Sequence, residues 1–492
     1  MTISVRLIEE PQLLFANGQK CVDPKVGLLS YGPNGLDVEH GKTQIIRAGA
    51  IGTHSSLIKL RGFLDELSSV IPPQLTRRTR SEPWKREFPG LGIDGALGFG
   101  ISIDPAAVEP ISEDEQSKVI APEDRKQRIV NALDLYDQKF DDLRSAHPSP
   151  DIVFVPLSEK LVEKCKDPSL ESDWIIYQKR TMDKHFRGTD IPVFNFHHAI
   201  KVLSFRRDLA SQVVLPSTLN FVRKRQDRAT IAWNFAVAVY YKATGTPWKL
   251  VDLDERTCMV GISFYPEMSK EGSVMRTSMA HVYVRTGESQ IIRGKPFRWE
   301  SDEPRREPTL DSGHAEEILR DVISLYARHR EGMSPTRVVV HKTSPFTQDE
   351  IVGFDRAVEG IPQADYVHIE SKAGVRFYHE GLGYPPVRGT LIAPVAAKSP
   401  AILYTVGFVP ALGTYQGANV PFPLVLRIAR LDTNHRIVAE DILRLSKMDW
   451  NTADFCRRTP VTISVSKKVG DILAEMRARD IENPPSLYKH YM

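Results

Sequence analysis

The order of apolar segments constrains this chain more than any single motif does. Up to about residue 250, strand-like and helix-like stretches alternate. Ile45-Ile-Arg-Ala-Gly-Ala-Ile-Gly-Thr53 is followed by a helical run to Leu67, and Asp151-Ile-Val-Phe-Val-Pro156 is a second buried-type strand. Asn195-Phe-His-His-Ala-Ile-Lys201 opens a helix, Ser211-Gln-Val-Val-Leu-Pro216 reads as the next strand, and Thr230 to Lys242 is apolar all round. Strands separated by helices pack as a parallel sheet with helical crossovers. Thr244-Gly-Thr-Pro-Trp-Lys-Leu250 interrupts the pattern and marks a domain boundary. A different order follows: the strand Cys258–Tyr265, a hairpin whose arms are Ala280–Arg285 and Gln290–Arg293, and an amphipathic helix carrying Ile318, Val322 and Leu325. Then come the buried strand Arg337–His341 and a helix that starts at Thr347 with Glu350 three residues on, a capping-box spacing.

The reading is an α/β chain in three parts. Residues 1–42 are an N-terminal extension or linker, 43–250 a Rossmann-like domain, and 251–492 a second domain whose antiparallel strands precede a helix–strand–helix unit, the element order of RNase H. Residues 104–126, acidic and Pro-rich, read as an exposed excursion, and 77–87 as a basic loop. No apolar run approaches the roughly 18–20 residues a membrane span needs. The N-terminus lacks the layout of a signal peptide. The four cysteines (21, 165, 258 and 456) have no paired spacing. This argues against a zinc site or disulfide framework and for a reducing cytoplasm.

Net charge is only +3, but residues 174–250 hold 13 Lys/Arg against four Asp and no Glu, a local +9. A surplus of this size is an electrostatic footprint for phosphate. Within it, His197 and Lys201 are four residues apart, hence neighbours on one helix face near its N-terminus, where backbone N–H groups also favour anions. Gln212 sits at the start of the next strand and Lys242 in the last turn of the apolar helix. Each has an ordinary alternative: a surface histidine, a solvated lysine, an amide serving its own backbone, a lysine answering the helix dipole. Only their combination points to a terminal phosphate.

This combination resembles the guide-binding MID domain of Argonaute proteins, and the downstream half resembles their PIWI domain. The resemblance rests on His197-x-x-x-Lys201, Gln212 in Ser-Gln-Val-Val-Leu-Pro-Ser-Thr, and Lys242 ahead of Gly-Thr-Pro-Trp. Further stretches fit, namely Asp23-Pro-Lys-Val-Gly-Leu-Leu-Ser-Tyr-Gly-Pro33, His341-Lys-Thr-Ser-Pro-Phe-Thr347, Met448-Asp-Trp-Asn-Thr-Ala-Asp-Phe455 and the Tyr488-Lys-His-Tyr-Met492 end. It covers roughly residues 10–492. With no preceding N-terminal and PAZ-like lobes, it matches the short prokaryotic Argonautes. The resemblance implies an RNA guide, a single-stranded DNA target, and a guide 5′ phosphate held by His197, Lys201, Gln212 and Lys242. It also implies a Mg²⁺ ion shared between that phosphate and the carboxylate of Met492. His197 departs from the tyrosine of many relatives, which introduces pH dependence.

RNase H-type cleavage needs clustered carboxylates to hold two metals. By the resemblance, one aspartate would follow Gly261-Ile262 and another His341-Lys342. Ser263 and Thr343 stand there instead. The expectation is a guided binder that does not cut, acting in prokaryotic defence through a separate APAZ-containing effector of TIR, SIR2 or nuclease type. The rival is an active guided nuclease using displaced carboxylates, for which Asp252, Asp254, Glu267 and Glu288 are the candidates near in sequence. A metabolic α/β enzyme is a third reading. For it, Gly49-x-x-Gly52-Thr53 lacks both the Walker lysine and the three-glycine dinucleotide fingerprint.

Overall fold

A computed structural model describes residues 3–36, 44–74, 84–144, 148–165, 196–221, 226–251, 254–269, 272–282, 289–297, 308–371, 374–378, 385–394, 399–415, 417, 420–476 and 484–492. Side chains of 266–282, 289, 296 and 474 also lie outside the description.

The first lobe is built on four parallel strands: β2 (Gln44–Thr53), β3 (Phe99–Ile111), β4 (Ile152–Pro156) and β5 (Ser211–Val214), in the order β3-β2-β4-β5. Helix α1 (His54–Leu67), capped by Thr53, and α4 (Arg228–Ala243), capped by Asp227, cover one face. Helix α2 (Arg125–Arg144) and much of α3 (Phe196–Phe205) cover the other. The apolar helix α4 is buried along most of its length, as its sequence requires. The stretch 104–126 differs from expectation. It begins inside β3 and continues into the helix Glu113–Ile120, which is closed by a reciprocal Ser112–Glu115 capping box. Pro105 and Pro110 are tolerated because β3 is an edge strand, where a missing N–H has no ladder partner to deprive.

The second lobe is one nine-stranded sheet. Its long strands are β6 (Thr257–Ser269), β7 (Gly272–Val282), β8 (Ser289–Phe297), β9 (Arg337–Lys342), β10 (Gln363–Glu370), β11 (Thr390–Pro394), β12 (Ala401–Leu403) and β13 (Leu424–Leu431). The antiparallel meander β6-β7-β8 comes first. Helix α5 (Ser312–Arg328) then leads into β9, which lies parallel to both β6 and β10. Helix α6 (Gln348–Ala357) carries the Thr347–Glu350 capping box expected of it. This is the RNase H order. Helices α7 (His435–Leu445) and α8 (Val461–Met476) complete the lobe.

Residues 1–42 are not a simple tether. Ile3–Leu7 forms β1, an edge strand of the second-lobe sheet, antiparallel to β11. Leu13–Leu14 pairs with both Lys20–Cys21 and Lys249–Leu250. A buried clasp fixes the segment, with Glu10 accepting from Arg388 Nε at 2.8 Å and from Lys447 Nζ at 2.6 Å. Helix α8 packs against β6, β7 and α3. The largest apolar core therefore runs through both lobes, joining Ala48, Phe154 and Trp233 to Met259, Trp450 and Tyr488.

One glycine sets the approach of α8. A Cβ at Gly261 would run into the Thr462 carbonyl, which is backbone and cannot rotate away. Gly261→Ala should cost about 1–3 kcal/mol or more through overpacking. Gly62→Ala, in the exposed middle of α1 with nothing within 4 Å, should instead raise stability by about 0.5–1 kcal/mol. Thermal melts of the two variants read opposite signs.

Candidate nucleic-acid interface

The four residues singled out in the first lobe do converge. Lys201 is buried on α3 at 6% exposure and Lys242 on α4 at 1%. Lys242 Nζ donates to the Ser211 carbonyl at 2.9 Å and to Gln212 Oε1 at 2.7 Å. Gln212 Nε2 donates onward to the Val213 carbonyl at 3.1 Å. The Lys201 ammonium donates to the backbone oxygen of Met492. His197 lies one turn before Lys201, its ring edge-on to His198 at 5.8 Å.

The C-terminal segment is built into this pocket. Tyr488–Tyr491 forms a short 3₁₀ turn, buried apart from Lys489. Tyr491 packs on Phe205 of α3 at 4.9 Å, and its hydroxyl donates to Pro485 O at 2.8 Å. Tyr488 lies 6.2 Å from Tyr241 of α4. Aromatic burial thus brings Met492 to Lys201 across 291 residues of chain.

The electrostatics are those of buried cations crowded together. Burial lowers the Lys201 ammonium to about 7, and Lys468 on α8 adds to the effect. Burial, then Lys201 and Lys468, push Lys242 far down. The imidazole of His197 is held well below its usual range by burial first, then by Lys201, His198 and Lys242. Each cation disfavours the charge on the next, and an anion placed among them would oppose every shift. Lys468 was not anticipated from sequence. It arrives on α8, and its only local signal is the Lys467-Lys468 pair.

Part of the basic segment is already neutralised. Arg207 pairs with Asp137 and Asp141, and Arg228 with Glu66. Lys179, Arg180, Lys184, Arg187, Arg223, Lys224 and Arg225 lie outside the described residues, as do 77–83 of the basic loop.

In the second lobe, Lys342 is registered with Ile262, so Thr343 and Ser263 are the next residues on adjacent parallel strands. Thr343 is exposed and Ser263 is buried, its hydroxyl unpaired among the described residues. Ser344 Oγ and His368 Nδ1, at the same end of the sheet, are unpaired likewise. His368 Nε2 lies 3.0 Å from the Thr343 carbonyl.

Acids nearby are committed elsewhere. Glu350 Oε1 accepts from the Lys342 ammonium and from Leu310 N at 3.0 Å, and Oε2 from Thr347 N at 2.9 Å. Asp254 caps the entrance of β6 by accepting from Arg256 N at 3.0 Å and Thr257 Oγ1 at 3.1 Å. Six residues of strand separate Thr257 from Ser263, so Asp254 lies roughly 20 Å away at the opposite end. Asp252, Glu288 and the Glu267 side chain lie outside the described residues. Among those described, no group of three His, Cys, Asp or Glu is placed to hold a metal, and no helix is long and apolar enough to cross a membrane.

No family model and no curated protein matches the sequence. Solved structures do. *Clostridium butyricum* Argonaute bound to a guide DNA and a 19-mer target DNA superposes with a TM-score of 0.62 at 14% identity, over 98% of this chain and 54% of that one. The fold is that of an Argonaute. *A. aeolicus* Argonaute gives 0.55 at 16% identity, over 99% and 55%. *Drosophila* Piwi gives 0.59 at 13% identity, over 99% and 56%. The chain spans about half the length of these proteins, and its two lobes correspond to a MID–PIWI pair.

The Lys201 shift has a testable sign. Between pH of about 7 and 10.5 the unfolded chain holds a proton that folded Lys201 does not. Stability of the nucleic-acid-free protein should therefore rise with pH across that window. Lys201→Met should flatten the rise in a series of thermal melts, leaving the part due to Lys242.

Proposed function

We propose that the chain binds a guide strand by its 5′ phosphate and uses it to recognise a complementary target without cutting it. One observation carries the reading: two almost fully buried lysines from different helices share a pocket, and no acidic side chain among the described residues pairs with either. An isolated buried cation is costly, and a pair is costlier still. A terminal phosphate, with more charge and more acceptors than an internal one, offsets that cost and completes the hydrogen bonds. The Argonaute fold supports the same reading. Base pairing would read sequence, and the protein would read backbone and duplex shape.

The carboxylate of Met492, with the guide phosphate, is the proposed Mg²⁺ site. A hard cation takes about six oxygens. This pocket offers the Met492 oxygen and Gln212 Oε1, both already accepting from lysines. The donor set fits an ion only when phosphate oxygens and water complete its shell and Lys201 cedes the carboxylate. The ion would supply charge neutralisation between carboxylate and phosphate.

Absence of cutting is proposed from Ser263 and Thr343 at the carboxyl ends of β6 and β9, together with the commitment of Glu350 and Asp254 to other bonds. A binder of this kind needs an output, and the APAZ-containing effector, of TIR, SIR2 or nuclease type, is proposed as the partner. Ile3, Val5 and Leu7, each about 60–67% exposed on edge strand β1, offer an apolar surface for such a partner. An RNA guide, a single-stranded DNA target, a role in defence against plasmids or phage, and a cytoplasmic setting belong to the same proposal.

Lys201→Ala with Lys242→Ala should weaken binding of 5′-phosphorylated guides by about 100-fold, the loss of two charge-assisted bonds, and of 5′-hydroxyl guides by less than about 3-fold. Equal losses would place the lysines outside a phosphate site. Incubation with guide, target and Mn²⁺ should yield no product. Guide-dependent cleavage at a fixed position, lost on mutating Asp252 or Asp254, would establish the nuclease instead. Chelation should weaken phosphorylated guides alone if the ion is shared. Nucleic acid and protein co-purifying from the native host should be a short 5′-phosphorylated strand and one effector polypeptide.

A further inference from the structure

The second lobe carries a cationic aromatic patch that the phosphate pocket does not use. Arg376 lies over the Phe422 ring, 3.6 Å from its centroid, and Arg458 lies over the same ring at 5.9 Å. Phe422 is 37% exposed, Phe377 38% and Tyr378 68%. Three anchors hold the patch. Phe377 N donates to the Tyr404 hydroxyl at 2.8 Å, Thr405 Oγ1 donates to the Arg458 carbonyl at 2.5 Å, and the Arg458 guanidinium donates to the Ser371 carbonyl. Arg458 Nε is nevertheless buried and unpaired, and neither arginine meets a carboxylate among the described residues. Their neighbours Arg457 and Arg427, by contrast, are paired with Asp449 and Glu370.

Sheet topology places the patch. β10 is parallel to β9 and ends at Glu370, so Ser371 leaves from the same end as Thr343, with residues 374–378 shortly after it in the chain. β13 is antiparallel to β10, with Val425 opposite Glu370, so Phe422 just ahead of it is at that end too. β12 ends at Leu403 opposite Leu424, which brings Tyr404 there. Two strand spacings, roughly 10 Å, separate β9 from β13. Two un-neutralised guanidiniums over one ring, flanked by exposed aromatics, suit alternating phosphates and bases. Arginine takes the phosphate, and a base stacks on a free ring face.

We infer that Arg376, Arg458, Phe422 and Tyr378 form a stacking platform for single-stranded nucleic acid, gripping an unpaired stretch as it passes the carboxyl end of the second-lobe sheet. This deepens the guided-recognition reading and rests on it for the strand being there. The platform acts on backbone and bases away from the 5′ end, so it makes no distinction between phosphate and hydroxyl ends.

The test uses the full chain freed of nucleic acid and a fluorescent oligothymidylate of about 15 nucleotides, with either a 5′ hydroxyl or a 5′ phosphate. Arg376→Ala with Arg458→Ala should weaken both forms by about 10-fold and reduce the salt slope by about 1–2. Tyr378→Ala should weaken both by about 5- to 10-fold. The ratio between phosphate and hydroxyl forms should persist in these variants and vanish in Lys201→Ala with Lys242→Ala. With 5-iodouracil in the strand, photocrosslinks on the wild-type protein should fall on Tyr378, Phe377 or Phe422. Unchanged affinity of the patch variants, or crosslinks confined to the first lobe, overturns the platform. Patch variants that keep strand binding but release a co-purifying protein reassign the surface to a protein partner and equally overturn it. A wild-type protein indifferent to the 5′ phosphate would count against the phosphate pocket alone.

Discussion

The structure turns on the meeting of Lys201 with the last residue of the chain. Lys201 belongs to the first lobe and Met492 follows the second, yet they share a hydrogen bond inside a wall of aromatic side chains. The contact takes a charged group out of water, which is unfavourable by itself. It is sustained because Tyr488 and Tyr491 are anchored by apolar burial on α3 and α4. The packing is therefore organised around a cationic hollow rather than in spite of it.

The two halves of the molecule treat charge in opposite ways. In the first lobe, Lys201 and Lys242 are buried with no acidic side chain paired to either among the described residues. At the far end of the second-lobe sheet, acids and bases are matched: Arg337 bonds Asp365 Oδ2 at 2.9 Å and Asp441 Oδ2 at 2.7 Å, all three buried. Such a buried ion network is structural, since each carboxylate oxygen of Asp365 and Asp441 already accepts at least one hydrogen bond. The end carrying Ser263 and Thr343 is neutral and partly unsatisfied. The same fold thus holds a paired polar core, a neutral polar edge and a cationic pocket.

Much of this was legible in the residues. The strand–helix alternation, the break at 244–250 and the Thr347–Glu350 box follow from local rules that tertiary packing did not override. His197, Lys201, Gln212 and Lys242 could be singled out together because α3, β5 and α4, which carry them, follow one another along the chain. Lys468 was not, because its proximity depends on how α8 crosses β6, and that crossing is set by the missing side chain of Gly261, some 200 residues earlier. The N-terminal stretch reads as short β-like pieces, but the place of β1 escaped for a related reason: five residues carry no sign of a partner strand almost 400 positions away. β3 was hidden by its prolines and acids, which are signs of an edge strand as much as of a loop. The Arg376–Phe422–Arg458 grouping comes from three separate loops and has no motif at all.

The core shared by both lobes has a mechanical corollary. Proteins whose domains meet across a thin, polar boundary can hinge. Here Trp233, Met259, Trp450 and Tyr488 belong to one unbroken apolar mass, and Trp248 donates to the Lys447 carbonyl at 3.0 Å across the same seam. Prising the lobes apart would expose that interior to water. Movement of one lobe against the other is consequently restrained by the whole of the core they share.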